Sequence, residues 1–364
     1  MLDALRRVSD RILGRGEASI VVPTLDGVLK PNAALDGAEP VFDARSPRDL
    51  ASDGAHLYLA DGTHLLRLDG AEARPVQDFG RRLTAIAALP DGRFAVALDG
   101  TEVRLLDRPD ATTPARTWTG GGMTAVNALA PDGAGGLVAT DGSSRHGADD
   151  WVRDLMEQRR GGRILRLRED GEAEVAADQL GHAFGAAARG DDLLVSESWR
   201  HRLLRLSRDG RRQVALPRLP VYPSRLSPAA GGGWWLTAFA ARSRLVEFVL
   251  REPAFLKRMI AELDPDHWIA PRLRSGESVM EPMQGAHLKT MGVTKPWAPP
   301  RAYGMVIRLD AAAQPVGSLQ SRADGRIHGV VSAAEHEGHL HVLARGPRQV
   351  LRLPLAGLAT GDAR

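Results

Sequence analysis

The chain has 364 residues, 43% of them hydrophobic, a formal charge of +3 and no cysteine. The missing cysteine excludes disulfides, thiolate metal sites and a cysteine nucleophile, and no run approaches the 18 or so apolar residues that a spanning helix needs. Basic residues are spread over nearly every strand-like segment and aromatics make up only 5%, so there is neither a basic stripe nor a stacking platform for nucleic acid.

Residues 1–19 read as an amphipathic helix, with Leu2, Leu5, Val8, Ile12 and Leu13 on one side and Arg6, Arg7, Arg11 and Arg15 available to lipid headgroups. Packing on the domain and a weak peripheral membrane contact both fit that pattern. Its scattered charges break the order of a secretory signal, which together with the absence of cysteine predicts a cytoplasmic protein without a membrane span. Beyond residue 20 one theme recurs: "AHLYLADGTHLLRLDG" from Ala55, "GRFAVALDGTEVRLLD" from Gly92, "GGRILRLREDG" from Gly161, "DDLLVSESWRHRLLRLSRDG" from Asp191 and "GHLHVLARGPRQVLRLPL" from Gly338. Each is a period-two run, a polar turn and a second run, the pattern of a half-buried antiparallel hairpin. No hairpin buries its own apolar face, and repeats of roughly 40–50 residues, each worth about four strands, indicate propeller blades stacked on one another.

The predicted fold is therefore an all-β six-bladed propeller over residues 20–358, with a tail at 359–364. Blades are centred near 44–70, 80–108, 122–169, 182–216, 222–250 plus a returning strand, and 303–354, and residues 20–43 supply an outer strand that closes the ring. Two segments break the rhythm. Residues 147–162 have a helical period inside the third blade, and residues 251–300, before the last blade, carry the helix "REPAFLKRMIAEL" and a long loop rich in proline, methionine and glycine. That second insertion is read either as a lid, with Trp268, Met280, Met283 and Trp297 as apolar contacts, or as a segment packed on the fifth blade or at an oligomer interface.

The ordered motifs "VNALAPDGAGGLVATDGSS", "DDWVRDLMEQRRGGRILRL", "GDDLLVSESWRHRLLRL", "GGGWWLTA", "FLKRMI" and "EHEGHLHVL" resemble the strictosidine-synthase-like propellers over about residues 40–354, in particular the branch containing the adipocyte plasma membrane-associated protein. The resemblance implies a pocket at one end of the central channel. It also implies either hydrolase or lyase chemistry, since relatives include Pictet-Spengler condensing enzymes and calcium-dependent lactonases and arylesterases.

Calcium ligands in the metal-dependent relatives sit at the start of each innermost strand. Carried over position by position, that set survives here only as Asn127. Arg48 replaces a glutamate, Phe184 an asparagine, and Ser224 with Arg225 an Asp-Asn pair, so a divalent cation would meet repulsion. The condensing glutamate of the lyases maps to Val331. No metal and no cofactor is expected, and the catalytic residues stay unassigned. Arg48, Asn127, Phe184, Tyr222, Ser224, Arg225, His328 and Val331 are the candidate substrate-binding residues, and the convergent arginines predict an anionic small molecule. The competing reading turns each arginine toward an acid such as Asp49. A conventional calcium lactonase and a catalytically silent binding propeller remain as alternatives.

Other motifs carry less. His336, His339 and His341 lack zincin spacing and lie on a hairpin surface, and Glu335 and His336 are structural. Asp141, Ser143, Ser144 and His146 are grouped as a triad would be, but without a nucleophile elbow. Glu262, Asp264 and Asp266 lack the glycine of a calcium loop.

Overall fold

Six four-stranded antiparallel sheets form the blades, and their innermost strands contact one another in a closed circle. Those strands are Pro47–Ser52, Leu83–Ala88, Val126–Pro131, Ala183–Arg189, Val221–Pro228 and Val330–His336. The computed structural model describes residues 22–133, 135–275, 281–282, 289–290, 293–294, 301–356 and 358. The amphipathic segment 1–19, the tail 359–364, and Met280, Met283 and Trp297 lie outside the described residues.

The ring closes through Glu39–Asp43, which pairs antiparallel with Gln349–Pro354 and so becomes the outer strand of the sixth blade. Chain start and chain end thus share a sheet, which leaves no free edge between the first blade and the last. The fifth and sixth blades differ from the sequence expectation. Met305–Leu309 pairs with Trp234–Ala241 and then with Pro315–Gln320, so residues 305–320 complete the fifth blade. The long insertion therefore interrupts that blade between its second and third strands, and the sixth begins at Val330.

In Leu57–Asp61, Phe94–Leu98 and Leu137–Asp141 every residue is buried, because blades press on both faces, whereas the outer strand Ala173–Leu180 leaves Glu174, Val175, Asp178 and Gln179 exposed. Tyr58, Ala60 and Leu65 of the first blade pack on Ile86, Phe94 and Val96 of the second, and comparable clusters fill the other seams. The recurrent acid before the turn has a definite use. Asp61 accepts from the amides of Arg45 and Ser46, Asp99 from Arg82, Asp141 from Ala125, and Glu197 from Gly181. Each acid at the end of a second strand thus ties down the chain entering the innermost strand of its own blade.

Both insertions gather at one end of the channel. Helix Trp151–Met156 buries Val152, Leu155 and Met156 against the helices Arg244–Val249 and Pro253–Glu262. Ser243 caps the second helix by accepting from the amide of Val246, and Pro253 opens the third, where its missing N–H costs nothing. Trp268 is almost wholly buried in this layer and donates to the Leu263 carbonyl at 3.1 Å, so it is core and not an apolar contact on a lid.

Candidate functional site

Under the helical layer each innermost strand sends one side chain into a shared cavity. Arg48, Thr84, Asn127, Phe184, Arg225 and Val331 come from blades one to six, and Arg345, His182, Trp151, Phe239 and Leu273 complete the wall. In five blades the contributor is the second residue of the innermost strand. The fifth is out of step because register shifts on both sides of Pro223 lengthen Val221–Pro228 and bring Arg225 to the axis. The inner cavity holds about 30 Å3, room for a water or two, and adjoins an outer cavity of about 490 Å3 that shares Trp151, Leu273 and Arg345.

Three of the proposed binding residues are elsewhere. Tyr222 is fully buried between Phe239 and His201, with ring centroids 5.7 and 4.5 Å away, because the bulge turns it into the seam between blades. The Ser224 hydroxyl lies between strands, 2.8 Å from the Thr237 hydroxyl and 3.2 Å from the Val330 carbonyl. His328 stacks on Tyr303, and its Nε2 is 2.9 Å from the Arg322 carbonyl. All three are held by packing and hydrogen bonds and are withdrawn from the list of cavity-lining residues.

Arg225 lies across the channel axis. Its guanidinium donates to the carbonyls of Thr84 (2.9 Å), Asn127 and Val331 (3.3 Å), pairs with Asp49 at 3.1 Å, and lies 5.4 Å over the Phe184 ring. Burial pushes the Asp49 carboxyl up and the Arg225 guanidinium down, and each is opposed by the other's charge. Asp49 accepts in addition from the amides of Leu50 and Ile86 and from Ser332. A cation fixed to the chain thus occupies the ring of carbonyls and carboxylate where a divalent ion would have to sit, and the residues present do not fit calcium. Among the described residues no group of three or more His, Asp or Glu side chains is arranged to hold a metal.

Arg48 donates to Asp149 at 2.5 Å, and Arg82 reaches the other oxygen of the same carboxylate. Burial would raise Asp149, but the bond and charge of Arg48 and the charges of Arg82 and Arg345 hold its carboxyl below the usual range. Arg345 is the residue that sequence reasoning missed. It follows the second strand of the sixth blade, where four other blades carry the tethering acid, and it lines both cavities. Burial and then the neighbouring charge of Arg48 lower its guanidinium to about 9. Arg48 and Arg82 thus share Asp149, Arg225 pairs with Asp49, Arg345 feels Asp149 only through charge, and no carboxylate is among the described residues lining the inner cavity.

The grouped Asp141, Ser143 and His146 do not form a triad. Asp141 pairs with Arg163, His146 lies 3.0 Å from Glu157, and Ser143 donates to Asp154 at 2.6 Å. Glu335 accepts from Trp235 and from the amide of Ala230, bracing two blades. His341 is buried and not on the hairpin surface, with ring centroids of His336 and His339 6.1 and 6.3 Å away.

No family model matches the chain. It is 26% identical over 376 aligned residues to the mouse adipocyte plasma membrane-associated protein, covering 92% of this chain and 82% of that one. The human protein of the same name is 27% identical, over 88% and 78% of the two chains. Among solved structures, a gluconolactonase from Xanthomonas campestris superposes with a TM-score of 0.53 at 16% identity, covering 89% of this chain and 93% of that one. A luciferin-regenerating enzyme gives 0.51 at 12%, over 88% and 93%. Both likenesses show the fold alone. The relatives' name associates them with the plasma membrane, which overturns the cytoplasmic expectation. Absence of cysteine and scattered N-terminal charge speak to redox state and signal order, not to surface attachment. No helix among the described residues is long and apolar enough to cross a membrane. The chain is a six-bladed propeller homologous along most of its length to the adipocyte plasma membrane-associated proteins.

Proposed function

We propose that this propeller is a small-molecule hydrolase that receives an anionic substrate in its central pocket and works without calcium. The observation that carries the reading is the inner cavity wall, which presents Arg48, Arg225 and Arg345 and no carboxylate among its described residues. Arg225 and Arg48 already have acidic partners, so the competing reading holds in part for them. Arg345 is the cation left to receive a ligand, because among the described residues no carboxylate hydrogen-bonds its guanidinium, Asp149 acts on it through charge alone, and burial works against its charge. The inner cavity has room for a water or two, and the outer one, which Arg345 also lines, has room for the substrate and its carboxylate. A fixed guanidinium fork is suited to such an oxyanion. Lyase chemistry is disfavoured because Val331 lines the wall where the condensing enzymes of the resemblance carry their glutamate.

The membrane-associated name of the homologues supports attachment of this chain to a membrane surface as well, which flotation with anionic vesicles tests. The pocket is tested by calorimetric titration of benzoate and phenyl phosphate into the wild type and Arg345→Gln. Truncating one partner of a desolvated charge pair costs about 2 kcal/mol or more, a loss of roughly thirtyfold. Equal affinities in the two proteins would remove the basis of the proposal.

A further inference from the structure

Beside the arginines, the inner cavity has a wall with a different chemistry. His182 is 2% exposed and lines the cavity just before the innermost strand of the fourth blade. Its ring stacks on Trp199 at 4.3 Å and meets the edge of Phe184 at 5.7 Å. Behind it lies Asp154, fully buried on helix Trp151–Met156, whose carboxylate accepts from Ser143 at 2.6 Å and from the Trp199 indole at 2.8 Å. His182 Nδ1 is 3.8 Å from that carboxylate, within ion-pair range but too far for a hydrogen bond, and it has no hydrogen-bond partner among the described residues.

The proton position follows from the neighbours. Asn127 Nδ2 is 3.3 Å from the Ala183 carbonyl, which identifies it as the amide nitrogen, and it is 3.2 Å from His182 Nε2. An amide nitrogen only donates, so Nε2 is the accepting nitrogen and the ring carries its proton on Nδ1, facing Asp154. The unprotonated nitrogen therefore faces Asn127 and the cavity. His182 also holds a φ of 61°, in the left-handed region that a non-glycine residue enters at a cost, and such strain gathers at functional sites.

We propose that His182 is the general base of the pocket and that Asp154 is its positioning residue; this rests on the hydrolytic reading above. In the working complex a water takes the place of the Asn127 amide at the single Nε2 lone pair and gives that nitrogen a proton as its oxygen attacks an ester or lactone carbonyl. The carbonyl carbon–oxygen bond to the leaving alkoxide then breaks, and the proton passes from His182 to the alkoxide. The products are an alcohol and a carboxylic acid, which releases its proton to solvent as it leaves as the carboxylate, and the dyad is returned unchanged.

The left-handed φ supplies a clean variant, because glycine is at ease there and His182→Gly leaves a ring-shaped space without straining the backbone. With 4-acetoxybenzoate as anionic ester and phenyl acetate as its neutral counterpart, His182→Gly is expected to lower kcat about 10²–10⁴-fold with KM within about threefold. Added imidazole should restore much of the loss, which a merely structural histidine would not allow. Asp154→Asn should lower kcat similarly and move the acidic limb of the pH–rate profile, with nitrogen-15 shifts reporting loss of the Nδ1–H form. The proposal is overturned if His182→Gly keeps kcat within threefold, if imidazole restores nothing, or if the wild type hydrolyses neither ester. In that last case benzoate titration with Arg345→Gln still judges the anion reading independently. Equal turnover of both esters with full dependence on His182 would leave the dyad standing and remove the anion preference.

Discussion

Replacing Arg225 by methionine keeps most of the apolar stem and deletes the cation at the channel axis. The deletion leaves the carbonyls of Thr84, Asn127 and Val331 without this donor and Asp49 without its counter-charge, although three other donors to Asp49 remain. Removing one partner of a buried pair costs about 3–5 kcal/mol. For a chain of this size the unfolding entropy is about 0.8 kcal/mol/K, so the melting temperature should fall by ~4–6 °C. Scanning calorimetry of Arg225→Met, Asp49→Asn and the double variant reads both the size and its origin. The pair is coupled, so the double variant should be less destabilised than the sum of the singles by about 1–3 kcal/mol. A melting temperature within about a degree of wild type, or strict additivity, would mean that Arg225 does not hold the inner strands together as argued. That outcome would also reopen the axis to a metal.

Calcium and chelator should leave the wild-type melting temperature unchanged, since a ligand specific for the folded state must raise it; a rise of several degrees, or one calcium per chain by elemental analysis, would refute this. Burial and the nearby histidines push His341 down to about 4 from its ordinary 6.5. The folded state then binds fewer protons than the unfolded one between those values, so about 3 kcal/mol of stability is lost as pH falls from 6.5 to 4. His341→Leu should flatten that limb in urea titrations, and an unchanged slope would show that another group carries it. At Gly142 a Cβ would meet His182 Cε1 at 2.6 Å as well as the Asn127 amide, so Gly142→Ala should displace both and abolish ester turnover with the melting temperature lowered only a few degrees. Full activity in that variant would place the chemistry away from His182.

The blades were legible because period-two runs and turn residues are local, and the resemblance placed Arg48, Asn127, Phe184, Arg225 and Val331 on strands that do converge. What failed was what depends on register and on long-range pairing. A bulge at Pro223 separates Tyr222 and Ser224 from Arg225 by turning neighbours to different sides, and hydropathy has no term for that. Likewise "MVIRL" reads equally well as the first strand of one blade or the third of another until its partner, Trp234–Ala241, is known.

His182 lies on the segment entering the fourth blade and Asp154 on the helix inserted in the third, with no spacing that links them, so the dyad leaves no motif. Arg345 did leave a signal, but one visible only when the repeats are aligned. "LADG", "ALDG", "ATDG" and "VSES" end their second strands with the acid that tethers the entering chain, while the sixth blade writes "VLARG". A repeat fold turns sequence periodicity into positional equivalence around an axis. Two blades depart from the shared tether: the fifth writes Arg242, which pairs with Glu247, and the sixth writes Arg345, a cation that the backbone amides cannot satisfy. Its amide still donates to the Gly329 carbonyl as Asp99's does to Arg82, so the backbone device is kept while the side chain is released toward the channel. In a propeller the departures from the repeat are therefore the places to look for chemistry, and of the two here Arg242 is neutralised by Glu247 while Arg345 lines the channel.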